Sequence, residues 1–193
     1  ADKLYEEYKR HSVDDTAAMQ TLGGKLAGKE VLVLAPGPSL REKQAEIAGY
    51  IAEHSPVVIA ANFVPRDFSP DFVFFSNNKR FSKIETLPCP GILTSNLEAR
   101  AGCLTVDYNR LAGTFAQGDN SLILLLRLLH ALGASSAALA GADGYQAGRS
   151  NYASSSMHSH IARDDAFNHA MREAIQSSGI PCTFVTPSEY EGN

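Results

Sequence analysis

Seven short apolar runs alternate with stretches of helical character along the chain. The first run, Val31–Leu34, is continuously apolar, as expected of a strand that is buried on both faces of a parallel sheet. The later runs are Val57–Ala60, Phe72–Phe75, Ile92–Thr94, Cys103–Val106, Ala137–Ala140 and Cys182–Val185. Helices are predicted from Ser39 through Ile51, from Asn120 to Leu132 and from Ile161 to Ser177. The alternation predicts an α/β fold, namely a three-layer, Rossmann-like and mostly parallel sheet with helices on both faces.

The first 26 residues have a different pattern. They are polar and helix-prone with few apolar positions, and Gly23-Gly24 is expected to end this helix. We therefore divide the chain into an N-terminal helical linker or docking segment, residues 1–26, and one Rossmann-like domain over residues 27–193. A domain of that length can bury an ordinary hydrophobic core without covalent cross-links.

Composition and charge exclude several classes of protein. The net charge is −4 and the basic residues are scattered, which argues against a nucleic-acid partner. No apolar run approaches the roughly 20 residues of a membrane span, and no signal peptide opens the chain. The three cysteines have no CxxC spacing, so we interpret them as reduced thiols of a cytoplasmic protein.

The turn after the first strand is the strongest single candidate site. Gly37 lacks a Cβ where a phosphate would approach the backbone, and the amides that follow Ser39 lie at the positive end of a helix. The sequence thus predicts a phosphate site at Gly37, Pro38 and Ser39; the alternative is a capped helix after a tight turn. Neither the dinucleotide fingerprint GxGxxG nor the P-loop pattern GxxxxGK[ST] is present, which makes NAD and ATP hydrolysis less favoured.

Amides and hydroxyls follow several of the other strands. In a parallel sheet the carboxyl ends of the strands meet at one edge, where ligands bind. Such groups donate and accept hydrogen bonds, which suits a sugar, a ribose or the edge of a base, although each is also a common turn former. The candidates at this edge are Asn62, Asn77, Asn96, Asp143 and Tyr145.

The Gly- and Ser-rich segment from Gly141 to His160 carries further chemistry. Tyr145, Arg149 and Tyr152 could bind phosphate oxygens, and His158 or His160 could exchange a proton near neutral pH. The alternative is a solvated loop with no role. No carboxylate flanks the two histidines and no DxD is present, so neither a metal nor another cofactor is expected.

Two ordered motifs carry a family resemblance. The run Val31–Leu40, VLVLAPGPSL, and the later pair Ala131-Leu132-Gly133 and Ala140–Tyr145 resemble the bacterial sialyltransferases that use CMP-sialic acid, and the related domains of Maf flagellin-modification proteins. The resemblance implies that Tyr145 and Tyr152 bind the nucleotide phosphate and that His158 or His160 is the base. It also implies ligand contacts for Asn62 and, through a segment similar to a Thr-Ser pair, for Ser121.

A second resemblance concerns organisation. The segment LYEEY near the start, followed by GKEVLVLAPGPS, is similar to the carboxyl-terminal region of some proteins called 4-hydroxy-2-oxovalerate aldolases, which carry an aldolase-type barrel in front. It implies that this chain is the appended domain of a lyase. Two functions remain open: a nucleotide- or nucleotide-sugar-binding domain linked to an aldolase-type domain, and a metal-independent glycosyltransferase that uses a CMP-activated sugar.

Overall fold

The computed structural model describes residues 11–113, 117–146, 152 and 165–192. Within these residues the elements alternate along the chain as the apolar pattern predicts. They are, in chain order, α1 (Thr16–Leu26), β1 (Glu30–Leu34), α2 (Ser39–Glu42), α3 (Gln44–His54), β2 (Val57–Ala61), β3 (Phe72–Phe75), α4 (Asn78–Phe81), β4 (Gly91–Thr94), β5 (Cys103–Val106), α5 (Tyr108–Ala112), α6 (Ser121–Ala131), β6 (Ser136–Ala140), α7 (Asp165–Gln176) and β7 (Cys182–Phe184).

The strands of the described ranges form one seven-stranded sheet in the order β5-β4-β3-β2-β1-β6-β7, and every pairing in it is parallel. The predicted three-layer, Rossmann-like fold is therefore confirmed. Along the chain, β2 to β5 are added one after another on one side of β1, and β6 and β7 are then added on its other side. This reversal creates a crevice above the carboxyl ends of β1 and β6, where ligands of open α/β sheets bind.

Alternate residues of the central strand support the two helical layers. Val31 and Val33 belong to a core shared with α1, α5, α6 and α7, whereas Leu32 and Leu34 belong to a core shared with α2, α3 and α4. All four side chains are fully buried, because both faces of a parallel sheet are covered by crossover helices. The continuous apolar runs in the sequence have this origin.

Two helix boundaries differ from the sequence predictions. Helix α1 continues through Gly23-Gly24 to Leu26, because Leu22 and Leu26 lie one turn apart and are both fully buried. The predicted helix from Ser39 through Ile51 is interrupted at Lys43, whose φ of −113° separates α2 from α3. Tertiary packing therefore sets the end of α1, and a local change of backbone direction separates α2 from α3.

An ion pair between the buried carboxylate of Asp15 and the half-exposed side chain of Arg110 joins the segment before α1 to α5. The Asp15 carboxylate is 7% exposed and accepts hydrogen bonds from both terminal nitrogens of Arg110, at 3.0 and 2.6 Å. Its Oδ2 also accepts from the backbone N–H of Asp107 at 2.8 Å. A bidentate, charge-assisted pair of this kind fixes the segment firmly against the edge of the sheet.

In the part of the chain described, no helix combines the length and hydrophobicity needed to cross a bilayer.

Candidate functional site

A cavity of about 380 Å³ opens at the carboxyl ends of β1, β2, β3 and β6. Its walls come from the loops after these strands, from the start of α6 and from α7. The cavity lies over the crevice that the sheet order predicts. Seven of the sequence candidates line it, and they are Gly37, Asn62, Asn77, Ser121, Asp143, Tyr145 and Tyr152.

The amino end of α2 is closed by a side chain. Asp143 Oδ2 accepts a hydrogen bond from the backbone N–H of Ser39 at 2.8 Å, and Asp143 Oδ1 accepts one from the Ser39 hydroxyl. The N–H groups of Leu40 and Arg41 donate to the carbonyls of Gly37 and Pro38, both at 3.1 Å. The expectation of free amides here is therefore wrong, because a carboxylate of the protein occupies the position predicted for phosphate.

Ser39 and Pro38 do not line the cavity. The Ser39 side chain is 4% exposed, and its Oγ is also 2.9 Å from Oγ1 of Thr186, which in turn accepts from the Gly141 N–H at 2.9 Å. Pro38 provides the carbonyl that accepts from the backbone of α2. Ser39 thus joins the loops after β1, β6 and β7, whereas Pro38 serves the first turn of α2.

Gly37 lines the cavity, but it is confined by its own chain. Its N–H donates to the Gly141 carbonyl at 2.8 Å, and a Cβ at position 37 would lie 2.2 Å from that oxygen and 2.8 Å from Asp143 Cγ. The structural requirement for glycine is therefore the close approach of the loops after β1 and β6. The proposed approach of a phosphate is not needed to explain it.

Asn62 and Ser121 belong to one hydrogen-bonded cluster. Asn62 Nδ2 donates to Ser121 Oγ at 2.5 Å, while its Oδ1 accepts from the Ser76 N–H at 3.2 Å; the Ser76 and Ser121 hydroxyls are 2.5 Å apart. Asn62 has a φ of +66°, which asparagine tolerates better than most residues. The cluster holds the ends of β2 and β3 against the start of α6.

The two remaining asparagine candidates differ in position. Asn77 caps α4, since its Oδ1 accepts from the Arg80 N–H at 3.1 Å, and it lines the cavity. Asn96 does not line it, because its amide is used within the loops: Oδ1 accepts from the Thr94 hydroxyl at 2.5 Å and Nδ2 donates to the Ser76 carbonyl at 3.0 Å. Asn96 is a turn former, as the alternative interpretation of these residues predicts.

An aromatic wall closes one side of the cavity. The hydroxyls of Tyr145 and Tyr152 are 3.2 Å apart, and Phe167 meets the Tyr145 ring edge-on with centroids 5.3 Å apart. The guanidinium carbon of Arg80 lies 5.1 Å from the centre of the Tyr152 ring. Asn168 fixes the backbone of Tyr145. Its Oδ1 accepts a hydrogen bond from the Tyr145 N–H at 2.9 Å, and its Nδ2 donates one to the Tyr145 carbonyl at 2.7 Å.

Sequence reasoning missed several residues that the fold brings to the cavity. Arg80 follows Asn77 by three residues, so the N-cap signal after β3 could have revealed it. Phe167, Met171 and Tyr190 come from α7 and the C-terminal loop, and no local signal marks them. The loop before α6 adds polar groups from Gln117, Asp119 and Asn120.

The charges at the cavity are mixed. Among its described lining residues Arg80 is a cation, and Asp119 and Asp143 are carboxylates. Burial raises the pKa of the neighbouring Tyr108 phenol, and the negative charge of Asp119 raises it further. Within the described part of the chain, no group of three or more His, Cys, Asp or Glu side chains is placed to hold a metal ion.

The two candidate catalytic residues, His158 and His160, lie outside the described residues, as does Arg149. The fold and the cavity define the chain as a Rossmann-like α/β domain with a polar, aromatic-walled cavity at the reversal of its strand order. No protein-family model matches the chain, and no curated protein gives a significant match to it.

Proposed function

We propose that this domain binds a nucleotide or a nucleotide-sugar in the cavity above β1, β2, β3 and β6. The observation that carries the proposal is the combination, in one cavity of about 380 Å³, of amide and hydroxyl groups, aromatic rings and the guanidinium of Arg80. Cavities of roughly 300–1,000 Å³ accommodate small molecules of this size. The position of this cavity, at the reversal of strand order, is typical of nucleotide sites in open α/β sheets.

The groups on the cavity walls suit both parts of such a ligand, namely the base or sugar and the phosphate. The rings of Tyr145, Tyr152 and Phe167 provide a surface on which a base or a sugar ring can pack. Asn62, Asn120 and Ser121 provide donors and acceptors that suit hydroxyls. Because Asp143 closes the end of α2, the phosphate is assigned to the side of the cavity formed by Arg80 and the tyrosines.

Titration calorimetry against CMP, UMP, GMP and ADP tests the proposal. At least one of the four is expected to bind in the micromolar to low millimolar range, and Tyr152→Ala is expected to weaken binding because it removes part of the aromatic wall. Tyr50→Ala is the matched control, since Tyr50 contacts Glu30 at the amino end of β1, outside the cavity lining. Absence of binding for all four nucleotides, with a correctly folded protein, would refute nucleotide recognition.

The resemblance to aldolase carboxyl-terminal regions suggests a setting for this activity. In that setting the domain is covalently linked to an aldolase-type lyase domain and captures or senses a nucleotide for it. Thermal stabilisation of a longer polypeptide by the same nucleotide, measured beside its aldol-cleavage rate, would test the link. A nucleotide that binds but leaves that rate unchanged would argue against regulation.

A metal-independent glycosyltransferase with a CMP-activated sugar is the second candidate. The specific observation in its favour is the Tyr145–Tyr152 hydroxyl pair, 3.2 Å apart on the cavity wall, because the resemblance assigns two tyrosines to the nucleotide phosphate. This function requires a general base, for which His158 and His160 are the candidates. His158→Ala or His160→Ala should abolish transfer from a CMP-sugar while CMP binding is retained. Binding of CMP without transfer or donor hydrolysis by the wild type would leave only the binding function.

A further inference from the structure

Asn168 directs both polar atoms of its side chain at the backbone of one residue of the cavity wall. It lies on α7 and is 5% exposed. Its Oδ1 accepts from the Tyr145 N–H at 2.9 Å, and its Nδ2 donates to the Tyr145 carbonyl at 2.7 Å. This pair of bonds resembles the exchange between two residues of neighbouring antiparallel strands, so one side chain satisfies both backbone polar groups of Tyr145.

The residue before Tyr145 allows this close approach. Gly144 has a φ of +81°, and a Cβ at this position would lie 3.2 Å from Asn168 Oδ1 and 2.7 Å from Glu189 Cβ. A side chain there would therefore push the loop after β6 away from α7. The same loop is attached to α2 by Asp143, which accepts from the Ser39 N–H at 2.8 Å. The protein thus holds the backbone of this loop at two successive points.

The fixed backbone limits where the Tyr145 ring can lie. The rotamers open to a side chain depend on its φ and ψ, so hydrogen bonds to both backbone groups restrict the direction of the ring. Phe167 precedes Asn168 on α7, lines the cavity and meets the Tyr145 ring edge-on, with centroids 5.3 Å apart. Two adjacent residues of α7 therefore position Tyr145, one through its backbone and the other through its ring.

We propose that Asn168 is a positioning residue, which raises the affinity for the ligand by holding Tyr145 in the orientation that contacts it. This proposal rests on the nucleotide-binding function above. Tyr145 lines the cavity and Asn168 does not, so the effect of Asn168 is exerted through Tyr145. A contact residue that the protein already holds in its bound orientation loses less conformational entropy on binding, and the affinity is correspondingly higher.

A double-mutant cycle tests the proposal, with the tightest-binding of CMP, UMP, GMP and ADP as the probe. Asn168→Ala should weaken binding about 5- to 30-fold, because the ligand must then order one backbone residue that the protein no longer holds. Tyr145→Leu removes the ring and retains apolar volume, and in this background Asn168→Ala should change the affinity less than about twofold. A merely structural role of Asn168 would weaken binding equally in both backgrounds.

Asn168→Asp is the second variant, and it replaces Asn168→Ala in the cycle if the alanine protein does not fold. It keeps the shape of the side chain and the accepting oxygen, but an ionised carboxylate has no hydrogen to donate to the Tyr145 carbonyl. It should weaken binding in the Tyr145 protein and not in the Tyr145→Leu protein. Gln176→Ala is the matched control, because it removes an amide from the same helix at an exposed position outside the cavity lining, and it should leave the affinity unchanged.

Three results would refute the positioning role while nucleotide binding stands. They are equal losses of affinity in the two backgrounds, wild-type affinity in both Asn168 variants, and wild-type affinity in Tyr145→Leu. If wild type binds none of the four nucleotides, the nucleotide-binding function fails and the role of Asn168 fails with it.

Discussion

Replacing Gly37 by alanine should destabilise the protein through a clash with its own backbone. The new methyl carbon would lie 2.2 Å from the Gly141 carbonyl oxygen, whereas real Cβ contacts essentially never fall below 3.0 Å. The neighbour is backbone at the end of β6, so it cannot rotate away as a flexible side chain would. The loops after β1 and β6 must therefore separate.

The magnitude follows from two contributions. Forcing one extra carbon into a closely packed site costs about 1–3 kcal/mol. Separation of the loops also weakens the 2.8 Å hydrogen bond from Gly37 to Gly141, which contributes about 1 kcal/mol. We expect the free energy of unfolding to fall by about 2–4 kcal/mol, which corresponds to a urea midpoint lower by roughly 1–2 M.

Urea unfolding followed by far-UV circular dichroism measures this change, and Gly49→Ala is the matched control. Gly49 lies inside helix α3, is exposed, and a Cβ there meets nothing within 4 Å. Alanine at this position should raise the free energy of unfolding by about 0.5–1 kcal/mol, because it has the higher helix propensity. The two substitutions add the same atom and should act in opposite directions.

A Gly37→Ala protein that unfolds within about 0.5 kcal/mol of wild type would refute the reasoning. That result would mean that the loops after β1 and β6 are less closely packed than the distances indicate. It would also revive the interpretation drawn from the sequence, in which Gly37 is needed for the approach of a ligand rather than for folding.

Two further predictions concern groups away from the cavity. Burial raises the pKa of the Cys182 thiol from 9.0 to about 11, so its contribution to stability is present below about pH 9 and is lost as the pH rises through about 11. At pH 8 the smaller thiolate fraction should slow alkylation of Cys182 roughly 100-fold relative to the urea-unfolded chain, as measured by peptide mass spectrometry; equal rates would contradict it. Arg110→Ala should lower the free energy of unfolding by about 1–3 kcal/mol, because the buried Asp15 carboxylate loses its charged partner and retains the hydrogen bond from the Asp107 N–H. An unchanged urea midpoint would show that the ion pair contributes nothing.

The fold could be predicted because its strongest signals are local. Each strand buried on both faces must be a continuous apolar run, and Val31–Leu34 or Phe72–Phe75 can be recognised without knowledge of their partners. The position of the cavity also followed, since the carboxyl ends of parallel strands share one edge. The end of α1 did not follow, because only the packed structure shows that Leu22 and Leu26 continue the buried face past two glycines.

The roles of individual site residues depend on contacts distant in the sequence. Asp143 and Ser39 are 104 positions apart, so the capping carboxylate could not be distinguished from a ligand contact by reading either segment alone. Asn96 and Asn62 look equivalent in the sequence, and the amides of both are hydrogen-bonded within the protein, but Asn62 lines the cavity and Asn96 does not. Arg80 was overlooked because a one-turn helix has too few residues to show a period.

The sheet order gives the cavity a place in the folding of the chain. Strand β6 registers Ser136 opposite Glu30 of β1, so the seam between the two halves of the sheet joins segments about a hundred residues apart. Local pairing from β1 to β5 can proceed before this seam closes, and only its closure brings Asp143 to Ser39. A molecule bound across the seam would therefore stabilise its closed state, slowing its opening in proportion to occupancy and protecting the β1 amides from hydrogen exchange.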